Sequence, residues 1–115
     1  MIVKLVSQDA LASPQEFVLD RFPADLGRSA DVEVRIDDRW LSRRHCRLEL
    51  SDGVLLVRDL GSRHGTFVNG QIIAEARLLP GSLLSIGLSH FVAQYDLSPA
   101  ESRLAAAAQI KAVLA

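Results

Sequence analysis

The spacing of apolar residues constrains this chain more than any other feature. Over the first 96 residues they come in short β-branched or alternating runs: "IVKLV", "QEFVLD", "VEVRI", "HCRLEL", "VLLVRD", "TFV", "LLSI" and "HFVAQY". A period of two puts every second side chain on one face of an extended strand. Turn signals separate the runs: "SP" at 13, "FPADLG" at 22, "SDG" at 51, "NG" at 69 and "PG" at 80. "LELSDGVLLV" reads as a hairpin folded at Asp52-Gly53. Many short strands at this spacing predict an all-β sandwich of two antiparallel or mixed sheets, not a βαβ sheet. The expected sandwich domain covers residues 1–96, and no internal repeat is visible.

The pattern changes at "DLSPAESRLAAAAQIKAVLA". Ser98 reads as an N-cap, Pro99 suits a first helical turn, and Glu101 completes a Ser-x-x-Glu capping box. Leu104, Ile110, Val113 and Leu114 give the following alanine-rich stretch a partly apolar stripe. The expectation for 97–115 is a C-terminal α-helix or tail. Its stripe would dock on the sandwich, self-associate with another copy of the chain, or lead into something further.

Charge excludes several partners. Thirteen Lys and Arg stand against fourteen Asp and Glu, a net charge of −1. Nucleic acid and membrane surfaces call for a strong basic excess, so neither is expected. No apolar run reaches membrane-spanning length, and "MIVKLVSQDALA" lacks the pattern of a secretory signal. The expected location is cytoplasmic. Cys46 is the only cysteine and sits in an alternating run, where a small buried side chain fits. Cys46, His45, His64 and His90 show no metal-ligand spacing, and no cofactor is expected. Ser42 with His45, or His64 with Asp59, are the only nucleophile–base pairs to consider. With no strand-elbow motif and no paired carboxylates around them, the chain is not expected to be an enzyme.

Three loops carry the distinctive chemistry: "LGRS" (26–29), "WLSRRHC" (40–46) and "GSRHGTFVNG" (61–70). Loops at one end of a sandwich cluster in space even when distant in sequence. If these share an end, they gather Arg28, Ser42, Arg43, Arg63 and His64 around one spot. Guanidinium forks, a hydroxyl and backbone amides, without a carboxylate, suit a compact anion such as a phosphate group.

The order of these segments is more specific than their composition. "GRS" at 27–29 precedes "LSRRH" at 41–45, "DLGSRHGTFVNG" at 59–70 and "GSLLSIG" at 81–87. In that order they resemble the forkhead-associated (FHA) family of phosphothreonine-reading domains, from about Val3 to Tyr95. Glu33 takes an acidic place in the family pattern, and Val34 and Ile36 two apolar ones.

The resemblance implies a function. Arg28 would bind phosphate oxygens, Ser42 would donate its hydroxyl to them, and Arg43 would add a backbone amide. Arg63 would lie beside the phosphate. His45 would point inward and pin the loop that presents Ser42. Gly27, Gly65, Thr66, Asn69 and Gly70 would shape and lock the loops. The partner would be a Thr-phosphorylated protein or peptide supplied in trans, either a Ser/Thr kinase or its substrate. Thr66 is the sole threonine among the 115 residues, so the ligand must come from outside them. The competing function is an FHA-fold scaffold or dimerisation domain that ignores phosphate.

Two positions depart from the family pattern. His64 stands where an Asn usually grips the peptide main chain, and Ser82 where Asp is common. A neutral imidazole has one donor and one acceptor on different sides of its ring, so His64 would keep one contact and lose the other. Alternatively, His64 serves only the turn, since His and Asn both tolerate positive φ. Trp40 faces either the peptide or the base of its own loop. Arg28 also has a bland alternative, pairing with Asp25 or Asp31, as does Ser42, bonding its own turn.

Overall fold

The computed structural model describes residues 1–12 and 14–97. The helix expected over 97–115 therefore lies, from residue 98 onward, outside the described residues. Among the described residues the strands are β1 (Val3–Ser7), β2 (Glu16–Leu19), β3 (Ala24–Gly27), β4 (Val34–Arg35), β5 (Cys46–Ser51) and β6 (Val54–Asp59). They continue with β7 (Thr66–Val68), β8 (Gln71–Ile73), β9 (Glu75–Leu78), β10 (Leu83–Ile86) and β11 (Ser89–Gln94). One sheet has the order β2-β1-β11-β10-β7-β8 and the other β4-β3-β5-β6-β9. Only β3 and β4 pair in parallel; the other neighbours are antiparallel. This is the mixed β-sandwich that the alternation predicts.

Alternation fills the space between the sheets. Val3, Leu5, Leu84, Ile86 and Ala93 come from the first sheet, and Leu26, Cys46, Leu48, Leu55, Val57 and Leu78 from the second. Each fully buried Leu or Ile contributes on the order of 1.5–3 kcal/mol. Tyr95 brings its hydroxyl into this core, where it donates to the Leu78 carbonyl at 2.7 Å and accepts from the Leu55 amide at 3.2 Å.

Two hairpins follow their turn signals. Asp52-Gly53, with φ of 52° and 78°, joins β5 to β6, and Asn69-Gly70, with φ of 50° and 83°, joins β7 to β8. Paired left-handed residues are what a tight two-residue hairpin needs to match strand twist.

Four strands depart from the expectation. "FPADLG" reads as a turn, yet only the Phe22–Pro23 junction turns, and Ala24–Gly27 is a strand buried at every position. Asp25 can occupy that buried strand because Arg47 and Arg44 cover it: Arg47 Nε lies 2.7 Å from Oδ1 and Arg44 Nη1 2.9 Å from Oδ2. The hydrogen bond from Arg47, reinforced by Arg44, holds the Asp25 carboxyl below its ordinary range against the opposing effect of burial. β8 and β9, inside "QIIAEARLL", fall outside the eight apolar runs read from sequence. "VEVRI" contributes only the two-residue β4.

Strand direction positions the loops. Leu26 stands opposite Cys46, Cys46 opposite Asp59, and Ile86 opposite both Thr66 and Ser89. The segments after β3, before β5, between β6 and β7, and between β10 and β11 therefore leave the sandwich at one end.

Candidate phosphate-binding loops

The site begins at Gly27, the last residue of β3. A side chain there would place its Cβ 2.1 Å from the Arg43 carbonyl oxygen and 3.0 Å from that of Ser42. Glycine thus permits β3 and the 40–46 loop to lie backbone against backbone. Three hydrogen bonds use that closeness. The Arg28 amide donates to the Ser42 carbonyl and the Ser29 amide to the Arg43 carbonyl, each at 3.1 Å. Arg28 Nε donates to the Leu41 carbonyl at 3.2 Å. The guanidinium is anchored by one edge, and its remaining donors face outward from an exposed residue.

Ser42 joins the third loop. Its Oγ accepts from the Arg63 amide at 3.0 Å. One lone pair is thereby used, and the hydroxyl proton is left to donate. The Arg43 amide has no acceptor among the described residues. Hydrogen bonds thus bring the backbones of Arg28 and Arg63 against Ser42, with Arg43 next in the same loop. The bland alternative for Arg28 does not hold: Asp25 is taken by Arg44 and Arg47, and Asp31 by Arg44 at 3.5 Å. Among the described residues Arg28, Arg43 and Arg63 pair with no carboxylate. Ser42 does not bond its own turn through Oγ.

His45 is fully buried and ties two loops together. Its Nδ1 faces the Ser42 amide at 3.2 Å and must accept; its Nε2 faces the Gly65 carbonyl at 2.8 Å and must donate. These partners fix a neutral tautomer with the proton on Nε2. Both nitrogens are committed to structure.

The loop between β6 and β7 winds around Asp59. Its carboxylate accepts from the Gly61 and Ser62 amides at 3.0 Å, from the Ser62 hydroxyl, and from Thr66 Oγ1 at 2.7 Å. Burial works against the charge of Asp59, yet these bonds outweigh it and the carboxyl sits below its ordinary range. Thr66 is fully buried in this cluster, so its hydroxyl is no phosphorylation target. Gly65 has a φ of 91°, and its amide donates to Ser62 Oγ at 3.0 Å. Asn69 is a brace further out: its Oδ1 accepts from the Leu83 amide at 2.9 Å and its amide donates to the Leu83 carbonyl at 2.8 Å. Ser82 is buried within hydrogen-bond reach of Asn69. Its effect is on loop structure.

Asp38 was not singled out by sequence, though "DD" before the loop signals a turn. It is buried and fastens the 37–45 loop to the β10–β11 turn. Oδ1 accepts from the Trp40 amide at 2.9 Å, and Oδ2 from the Leu88 amide and Ser89 hydroxyl, both at 2.8 Å. Trp40 remains 46% exposed, with its ring against that of His64 at 5.2 Å and 68°. Its ring therefore sits against the β6–β7 loop. Among the described residues, non-glycine positive φ occurs only at Asp52 and Asn69. His64 does not serve a left-handed turn, and that alternative falls.

Cys46 lies fully buried beneath the site, and burial, with smaller contributions from Asp59 and Asp25, pushes its thiol up to about 12. No group of three or more His, Cys, Asp or Glu among the described residues is placed to hold a metal ion.

Comparison with known proteins agrees with this geometry. The FHA domain family model matches residues 25–87, which contain every site loop. The glycogen accumulation regulator GarA of Mycolicibacterium smegmatis is 38% identical over 71 residues, covering 62% of this chain and 45% of GarA. The oxoglutarate dehydrogenase inhibitor of Corynebacterium glutamicum is 32% identical over 85 residues, 74% of this chain and 58% of that protein. The chain thus spans about half the length of these relatives. A domain solved in a study of phosphothreonine-dependent FHA domain interactions superimposes with a TM-score of 0.76 at 28% identity, covering 85% of this chain and all of that one. The FhaA FHA domain, solved with the intracellular domain of Rv3910, gives 0.73 at 30% identity, covering 80% of this chain and 99% of that one.

Proposed function

This chain belongs to the FHA domain family, and from that premise we propose that its rim of loops clasps the phosphate of a phosphothreonine. The domain is a phosphopeptide-binding interaction module of Ser/Thr kinase signalling, not an enzyme. One observation carries the assignment of residues: Arg28 and Ser42, fourteen positions apart, are held together by the Arg28 amide on the Ser42 carbonyl at 3.1 Å. Around that clasp stand free guanidinium donors, a free hydroxyl proton and the Arg43 amide. All are donors, and a dianion with three acceptor oxygens is their complement. Arg28 and Ser42 bind the phosphate, Arg43 and Arg63 flank it, and His64 offers one ring nitrogen to the peptide. Gly27, His45, Gly65, Thr66 and Asn69 support them.

Isothermal titration with one peptide in phosphothreonine, phosphoserine and unmodified forms tests this reading. Charge-assisted hydrogen bonds are about 1.5–3 kcal/mol each. Losing the phosphate, or making Arg28→Ala, should therefore weaken binding by at least tenfold. Equal affinity for phosphorylated and plain peptide would end the reading.

The partner is supplied in trans by a Ser/Thr kinase or one of its substrates, and the module works where those kinases do, in the cytoplasm. Self-association through residues 97–115 is a separate proposal, supported by their capping box and apolar stripe. Sedimentation of the chain against one ending at Asp96 tests it, and the same number of protomers per particle in both would dismiss it.

A further inference from the structure

Beside the phosphate clasp lies a second recess of about 220 Å³, lined by Arg39, Trp40, Arg63 and His64. Its chemistry is one-sided: two guanidiniums, an imidazole and an indole, with no carboxylate in the lining. The acids next to Arg39 in sequence do not neutralise it. Asp38 is buried with both oxygens occupied by Trp40, Leu88 and Ser89. Asp37 lines a different recess, together with Arg35 and Ser89. Among the described residues neither Arg39 nor Arg63 has a carboxylate partner, whereas Arg44, Arg47 and Arg58 all do.

We propose that this recess binds a second acidic group of the ligand, a carboxylate or a second phosphoryl, a short distance along the chain from the phosphothreonine. The inference rests on phosphothreonine recognition at the neighbouring clasp. Arg63 connects the two places, because its amide holds Ser42 Oγ while its side chain lines the recess. Trp40, held edge-on against His64, forms a low-dielectric wall that strengthens an ion pair beside it. The ligand selected is an acidic or multiply phosphorylated segment, not any phosphothreonine.

The test uses the whole chain and one phosphothreonine peptide with alanine at every flanking position. Glu, and separately phosphoserine, is walked through those positions, and affinity is measured by fluorescence anisotropy. At one position the acid should tighten binding about tenfold, as a new charge-assisted bidentate contact does. A double-mutant cycle pairs that acid with Arg39→Gln; the gain should disappear in the variant while thermal unfolding confirms its fold. Gain with Glu assigns a carboxylate, and gain with phosphoserine alone assigns a phosphoryl group. A flat scan overturns the inference, as does preference for an apolar residue, or a gain that survives Arg39→Gln. In each of those outcomes phosphothreonine binding itself still stands. Failure of every phosphothreonine peptide, acidic or not, refutes the clasp and this inference together.

Discussion

Gly27→Ala isolates the closeness on which the site depends. The new methyl carbon would lie 2.1 Å from the Arg43 carbonyl oxygen and 2.8 Å from its carbon, both backbone atoms. Ordinary contact begins at 3.4 Å, so the loop must retreat by about 1.3 Å from β3. That retreat breaks two hydrogen bonds, Arg28 amide to Ser42 carbonyl and Ser29 amide to Arg43 carbonyl. At about 0.5–1.5 kcal/mol each they account for about 1–3 kcal/mol of stability. Overpacking adds about 1–3 kcal/mol. A chemical-denaturation midpoint corresponding to a loss of about 2–6 kcal/mol is therefore expected. Affinity should suffer separately, because the same shift carries the Ser42 hydroxyl and Arg43 amide away from an oxygen bound to Arg28. Loss of one such contact means at least about tenfold in Kd, measured by titration at a temperature where the variant remains folded. Gly27→Ala with phosphopeptide affinity within twofold of the parent would refute the reasoning, since loop and strand would then not form a single grip.

Other perturbations test the supporting framework. His45→Ala leaves the Ser42 amide and the Gly65 carbonyl without their partner, and at about 1–3 kcal/mol per buried unsatisfied group the unfolding free energy from urea denaturation should fall by about 2–6 kcal/mol; a loss below about 1 kcal/mol would show that solvent reaches both. Asp25 makes stability sensitive to acid. Its folded pKa lies below the unfolded value of about 3.9, so its contribution is complete above the ordinary carboxylate range and disappears as pH falls through the lower folded value. Urea midpoints between neutral pH and pH 2.5 should show an acid limb that Asp25→Asn flattens; an unchanged limb would remove Asp25 from the account. Cys46, with its thiol pushed up to about 12 by burial, should resist a thiol-specific reagent in the native protein and react only on unfolding. Fast native labelling would contradict its placement.

Most of the sandwich was legible because alternate burial leaves a period-two trace, as in Cys46, Leu48 and Leu55, Val57. β3 left none. It is buried on both faces, and Pro23, Asp25 and Gly27 resemble turn residues unless Arg44 and Arg47 are known to cover Asp25. β9 was hidden for another reason: its exposed Glu75 and Arg77 dilute a pattern in which Leu78 alone is deeply buried. The family was legible from the order of its motifs. The division of labour within "SRRH" was not. Arg43 and Arg44 are adjacent, and only tertiary contact sends Arg44 to Asp25 while leaving Arg43 at the rim. Asp38 was missed because its partners Leu88 and Ser89 are fifty residues away in sequence, where no local pattern can indicate them.

The imidazole of His45 braces the 40–46 loop against the 61–70 loop, alongside the Arg63 amide on Ser42 Oγ, and this affects the kinetics of capture. Because Ser42 and Gly65 are tied to one rigid ring, the two loops are held in one arrangement before a ligand arrives. The entropy of ordering falls on the visiting peptide alone. Encounter should then proceed at ordinary docking rates for all phosphothreonine sequences, and selectivity among them should reside in how long each one stays.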